Sequence, residues 1–153
     1  MKQIFTPFIY FFSLALLLGS CEDSNTYPIP NNTVDIVIFL DGYDNTFAIG
    51  QVKTFNSGRG YAGYLGVVVY RSGPDEFLAY DMACPNDHYN GCKIIEHSSD
   101  ATAPPSDLCL QCSKCCKAKF SLLDGYPQGS TYKYPLKSYK VTKINDYRFR
   151  IHN

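Results

Sequence analysis

The sequence predicts an all-β domain of eight or nine short strands, and three observations predict it. Beyond residue 20 no long apolar pattern of period 3.6 is present. Short apolar runs recur instead, closed by Asp-Gly, Gly-Pro-Asp and other Gly- or Pro-bearing clusters. Thirteen tyrosines and ten phenylalanines supply side chains that favour a pleated, half-buried surface.

The elements follow in order. Residues 34–40 (VDIVIFL) form a buried strand closed by Asp41-Gly42, and 47–54 a weaker one. Residues 56–63 hold three glycines and read as a turn or loop. A strong strand over 65–71 (LGVVVYR), turn chemistry at Ser72-Gly73-Pro74-Asp75 and a strand over 76–82 (EFLAYDM) make a hairpin that delivers the chain to Cys84. Residues 93–96 (KIIE) are a short strand, and 98–107 a polar, proline-rich excursion. A strand over 119–123 ends at Asp124-Gly125, and 126–134 form a further loop. Residues 135–142 and 147–151 are the closing strands. In the last one Tyr147, Phe149 and Ile151 alternate with Arg148, Arg150 and His152, which is period two. Val67, Val69, Phe120, Phe149 and Ile151 are the expected core.

The N-terminus has its own logic. Lys2 precedes an apolar stretch over 4–18, followed by Leu18-Gly19-Ser20-Cys21 and then acids. This is a secretory signal, too short to span a bilayer. Its small residues before a cysteine resemble the bacterial lipobox. That resemblance implies cleavage before Cys21, acylation of Cys21 and attachment to a membrane of the bacterial cell envelope. Residues 1–20 are then the signal peptide, 21–33 the lipidated cysteine and a flexible tether, and 34–153 the domain. Without a twin arginine after Met1, the export route is the one that threads unfolded chains.

The domain that remains is long enough for one real core. Beyond residue 20, which removes one lysine from fourteen basic side chains and none from fourteen acidic ones, the net charge is −1. A nucleic-acid footprint and a polybasic membrane patch are excluded.

Six of the seven cysteines fall between residues 84 and 116: Cys84, Cys92, Cys109, Cys112, Cys115 and Cys116. That density means covalent or metal chemistry rather than packing. The two-residue gaps of Cys109, Cys112 and Cys115 suit one ion or an iron–sulfur group, with Cys84 and His88 or Cys92 contributed by the first loop. Three disulfides, in any of 15 pairings, account equally for six cysteines. Outside the cytosol such bonds can form.

The order of features resembles a Rieske-type iron–sulfur domain. Ala79-Tyr80-Asp81-Met82-Ala83-Cys84-Pro85 looks like the strand leading into the first cluster loop. Residues 112–125 (CSKCCKAKFSLLDG) look like the second loop and its following strand. Residues 135–141 and 147–151 look like the closing strand pair. The resemblance implies an antiparallel Rieske-like β-sandwich with two Cys-rich loops at one end, holding a [2Fe–2S] cluster between two cysteines and two histidines. The ligands depart from that pattern. The first loop of the family reads Cys-x-His, and here the third position is Asn86, with His88 two residues late. Counting back from Phe120 puts Cys116 at the second histidine and Ser113 at the cysteine; one inserted residue gives Cys112-x-x-Cys115 instead. A two-His cluster is therefore ruled out, and a bound cluster is mostly or wholly Cys-ligated. Cys84, His88, Cys112, Cys115 and Cys116 are the candidate metal ligands. Cys92 and Cys109 are candidate disulfide partners or alternative ligands.

Two functions follow. One is a membrane-anchored electron-transfer carrier that meets a redox partner and is not itself an enzyme. The other is an envelope binding or structural module of the same fold, whose cysteines form disulfides or a zinc site.

Overall fold

The computed structural model describes residues 27–57, 61–96, 108–112, 115–129 and 131–153. The signal peptide, Cys21, the start of the tether, His97, the excursion over 98–107, Ser113 and Lys114 lie outside the described residues. The chain is all-β. Nine strands follow in order: β1 (Asp35–Phe39), β2 (Val52–Phe55), β3 (Val67–Arg71), β4 (Phe77–Asp81), β5 (Ile94–Glu96), β6 (Cys109–Cys112), β7 (Lys119–Ser121), β8 (Ser138–Asn145) and β9 (Arg148–His152). A 3₁₀ turn, His88–Asn90, lies between β4 and β5.

Strands β1-β9-β8-β4-β3-β2 form one sheet and β5-β6-β7 a second, smaller one. Every pairing is antiparallel. The larger sheet curls, so that Val34 bridges Ala62 and the Asp35 amide donates to the Tyr61 carbonyl at 2.9 Å.

The run VVVY in β3 is apolar throughout because both its faces are buried. Alternation sends Val67 and Val69 into one core with Ile38, Phe77, Ala79, Phe149 and Ile151. Val68 and Tyr70 point the other way, with Tyr80 and Met82, against Ile94, Leu110 and Phe120 of the small sheet and Leu122 just beyond it. The second core is thus the layer between the two sheets, and Cys84, Cys92 and Cys112 belong to it. All five expected core residues are buried, each at 1% exposure or less.

Three expectations shift. The strand expected over 47–54 begins only at Val52, since Phe47 sits in a turn closed by its own amide onto the Asp44 carbonyl. Tyr147, placed on the inward face by alternation, is exposed because it lies in the β8–β9 turn. Residues 109–112 read as loop in the sequence, yet they form β6, and Leu110 pairs with Phe120 and Glu96 in register.

The tether differs as well. From Tyr27 onward it is docked. Tyr27 Oη donates to the Pro135 carbonyl at 2.5 Å, Ile29 is buried, and Lys137 Nζ donates to the Pro30 carbonyl at 2.7 Å. Asn153 Nδ2 holds the Asn32 carbonyl at 2.9 Å.

Candidate metal–thiol site

Two hairpin tips make the site. Beyond β4 the chain runs on to Cys84, whose amide donates to the Cys92 carbonyl at 2.8 Å. Ala83 bridges Lys93, and the Ile94 amide donates to Met82 at 2.7 Å. The first loop is therefore the tip of a hairpin with Cys84 and Cys92 at its base, closed by Gly91 in the left-handed region (φ 65°). The second tip lies between β6 and β7, where the Cys112 amide donates to the Ala118 carbonyl at 2.9 Å. Register sets the tips side by side, because Ile94 of β5 pairs with Cys112 of β6.

A disulfide joins the tips. Cys92 and Cys115 are bonded, with Cα atoms 6.1 Å apart, inside the usual range for such a bond. Cys115, expected among the metal ligands, therefore leaves that set, since a bonded sulfur offers no thiolate. Cys92 takes the disulfide role of its two alternatives.

Beside that bond three sulfurs converge. Those of Cys84, Cys112 and Cys116 all lie within 4.8 Å of one another, and Cys84 Sγ is 3.3 Å from Cys116 Sγ. Cys84 and Cys112 are wholly buried and Cys116 half-buried. His88 is buried too, but its ring nitrogens do not complete this group of mutually close donors. Cys109 is elsewhere. It is three positions from Cys112 in one strand, so alternation turns it to the opposite face, where Gln128 Nε2 approaches its sulfur at 2.7 Å.

The electrostatics divide the three thiols. Burial, and then the neighbouring Cys116 thiol, push Cys84 up, against a backbone N–H from Asn86. Burial also raises Cys116. At Cys112 burial acts upward too, but backbone N–H groups of Cys115 and Cys116 aim at its sulfur and outweigh it, so this thiol is held below its ordinary value. Asn86, at the position of a Rieske first-loop histidine, has a buried side-chain nitrogen with no hydrogen-bond partner among the described residues.

The site is braced from behind. Tyr132 Oη donates to the Cys116 carbonyl at 2.7 Å. Asp81, fully buried at the end of β4, accepts from the Ala83 amide at 2.8 Å and fixes the backbone leading into Cys84. Neither brace was singled out from sequence. The signal available was an acid inside an otherwise apolar strand run, LAYDMAC.

No protein-family model matches the chain, and no curated protein does. Among solved structures it is similar to a chain of the complex of reduced oxygenase and oxidized ferredoxin in carbazole 1,9a-dioxygenase. The two are 18% identical with a TM-score of 0.49, over 79% of this chain and 94% of that one. It is also similar to the ferredoxin of carbazole 1,9a-dioxygenase from Nocardioides aromaticivorans IC177, at 15% identity and a TM-score of 0.44, over 77% of this chain and 96% of that one. The architecture is the one the sequence resemblance implies: an antiparallel, Rieske-like β domain with two cysteine-bearing loops meeting at one end.

Proposed function

We propose that the chain is a lipid-anchored electron carrier of the bacterial envelope, with an iron–sulfur centre held by Cys84, Cys112 and Cys116. The observation that carries this reading is that three thiols from two hairpin tips meet at one end of the domain. The donor chemistry fits such a group. Thiolates are its usual ligands, and backbone N–H groups already aim at Cys84, Cys112 and Cys116. The unpartnered Asn86 amide nitrogen is a further donor of the kind that sulfur ligands accept. A [2Fe–2S] cluster takes two protein donors on each iron. The three cysteines supply three of these, and the fourth falls to a donor outside the group of mutually close sulfurs. Bound there, the group would supply reversible one-electron chemistry. The protein's own part is to hold the thiolates, exclude water and present the tips to a partner. Anchoring rests on the sequence ending in Cys21.

One observation favours a second reading. Three sulfurs this close to one another have the spacing of a single ion's shell, since zinc–sulfur bonds of about 2.3 Å place tetrahedral sulfurs about 3.8 Å apart. That reading makes the domain an envelope module with a zinc–thiolate clasp. Purification from the native envelope under nitrogen, followed by a visible spectrum and counts of iron, acid-labile sulfide and zinc, separates the two. A brown protein with iron and sulfide in equal amounts supports the carrier. A colourless protein with zinc, or with Cys84 and Cys116 joined in a disulfide, overturns it.

A further inference from the structure

The docked segment from Tyr27 to Asn32 ties the N-terminus to a particular end of the domain. At that end lie the Asp81–Cys84 stretch, the start of β8 and the C-terminal Asn153, which holds Asn31 and Asn32. Tyr27 packs edge-on against Tyr134, with ring centroids 6.2 Å apart, and burial, then the nearby Asp81 carboxylate, push its hydroxyl upward. Tyr132, two residues from Tyr134, bonds the Cys116 carbonyl. The thiol site and the point where the chain leaves the domain are therefore neighbours. The opposite end carries the β3–β4 and β8–β9 turns, tied by Lys143 Nζ to Asp75 at 2.7 Å, and the exposed Tyr43 and Tyr147.

Five residues separate Cys21 from Tyr27. Even fully extended, that length spans only about 20 Å. A lipid on Cys21 therefore cannot let the domain turn freely above the bilayer. The surface beside the exit point also has the chemistry of a membrane interface: Tyr27, Tyr132 and Tyr134 half-exposed, the exposed Lys133 over the Tyr134 ring at 5.0 Å, and Lys137.

We propose that this end, from Tyr27 across Tyr132 to Tyr134, is the membrane-facing surface of the protein. Its occupant is the phospholipid headgroup layer, and the thiol site works close to the bilayer rather than out in the aqueous space. The inference rests on acylation of Cys21 and is independent of which metal the thiols hold.

The chain has no tryptophan, so single tryptophans report position. Thr131→Trp labels the exposed loop beside Tyr132, and Tyr147→Trp labels the β8–β9 turn, with the five residues of β9, roughly 17 Å of strand, between that turn and the Asn153 end. The full-length lipidated protein is placed in phosphatidylcholine–phosphatidylglycerol vesicles carrying a dansyl acceptor on the headgroup. Energy transfer from position 131 should exceed that from 147 several-fold. A twenty-residue Gly/Ser spacer inserted between Thr26 and Tyr27 should abolish the difference. Equal transfer from both positions, or more from 147, overturns the orientation alone. A processed protein that does not bind the vesicles overturns the anchor and the orientation with it, leaving the metal counts untouched.

Discussion

Tyr139 Oη donates to Asp81 Oδ2 across 2.6 Å in the interior of the domain, one strand away from the thiol site. The same carboxylate accepts the amides of Tyr64 at 2.7 Å and Ala83 at 2.8 Å. One buried acid therefore ties together β8, the approach to β3 and the backbone entering Cys84. Its neighbours in turn depend on it: burial and then the Asp81 hydrogen bond push the Tyr139 hydroxyl upward. Tyr139→Phe keeps the shape and removes one donor to a charged acceptor, which should cost about 1.5–3 kcal/mol in urea unfolding. Asp81→Ala, which orphans all these donors, should cost more. If Tyr139→Phe unfolds at the wild-type midpoint, Asp81 does not tie these elements together.

Gly63 lies against both groups. It has φ 70°, and a Cβ there would stand 2.5 Å from Asp81 Oδ2 and 2.7 Å from Tyr139 Oη. Gly91 has φ 65° and nothing within 4 Å of the same added atom. Both alanine substitutions incur the left-handed cost, about 1–2 kcal/mol. Only Gly63→Ala must also displace the buried pair, so it should be clearly the more destabilising of the two. Comparable midpoints for the two variants would count against this packing.

Much of this arrangement was legible in the sequence, for a physical reason. Strands buried on one or both faces announce themselves through period two and turn residues, which is why β3, β4 and β9 and their core residues could be placed. The convergence of Cys84 with the second cysteine group was legible too, because the hairpin before Cys84 and the strand after Phe120 lead to one end. What could not be read was the division of labour among the sulfurs. Cys92, Cys112, Cys115 and Cys116 are chemically alike in sequence. Only the register Ile94 against Cys112 and the reach from Cys92 to Cys115 decide which are bonded and which converge. Strand β6 was hidden because cysteines pack as small apolar residues, so CLQC carries no periodic signal. The docking of residues 27–33 was hidden because its bonds run from a tyrosine and asparagines to backbone far away in sequence.

The surface pair Asp35–Arg150 gives a pH prediction. Arg150 Nε and Nη2 donate to the two carboxylate oxygens at 2.8 and 2.9 Å, and that hydrogen bonding, with the attached positive charge, holds Asp35 below its ordinary range. A depressed acid stabilises the fold above its ordinary value and loses that contribution as pH falls toward the depressed one. Asp35→Asn should therefore lower the urea midpoint slightly at neutral pH, less in high salt, and not at all in strong acid. A deficit that grows in acid would reverse the sign and refute the pairing.

The disulfide sets a stability prediction apart from the metal. Cys92 and Cys115 enclose 23 residues of sequence separation, so Cys115→Ser should cost about 2–4 kcal/mol through the freed unfolded chain. Cys92 should then become a thiol that alkylates in the denatured protein. Metal binding should weaken less than in Cys112→Ser, since Cys115 braces the tips without donating a thiolate.

The cysteines facing opposite sides of β6 provide the sharpest separation. Cys109 and Cys112 share one strand and similar burial, yet only Cys112 faces Cys84 and Cys116. Cys109 is approached by Gln128 instead. Cys112→Ser removes the sulfur on which backbone N–H groups of Cys115 and Cys116 converge. Metal content, whether iron or zinc, should fall to background in this variant, and likewise in Cys84→Ser and Cys116→Ser. Cys109→Ala leaves the three-sulfur group intact. It should unfold at lower denaturant, because a buried side chain has been truncated, but retain the wild-type metal-to-protein ratio and spectrum. Comparing metal content at matched folded fraction separates the two effects. Loss of metal in Cys109→Ala, with retention in Cys112→Ser, would show that the ligands lie on the other face of β6 and that the convergent thiols are not the metal site.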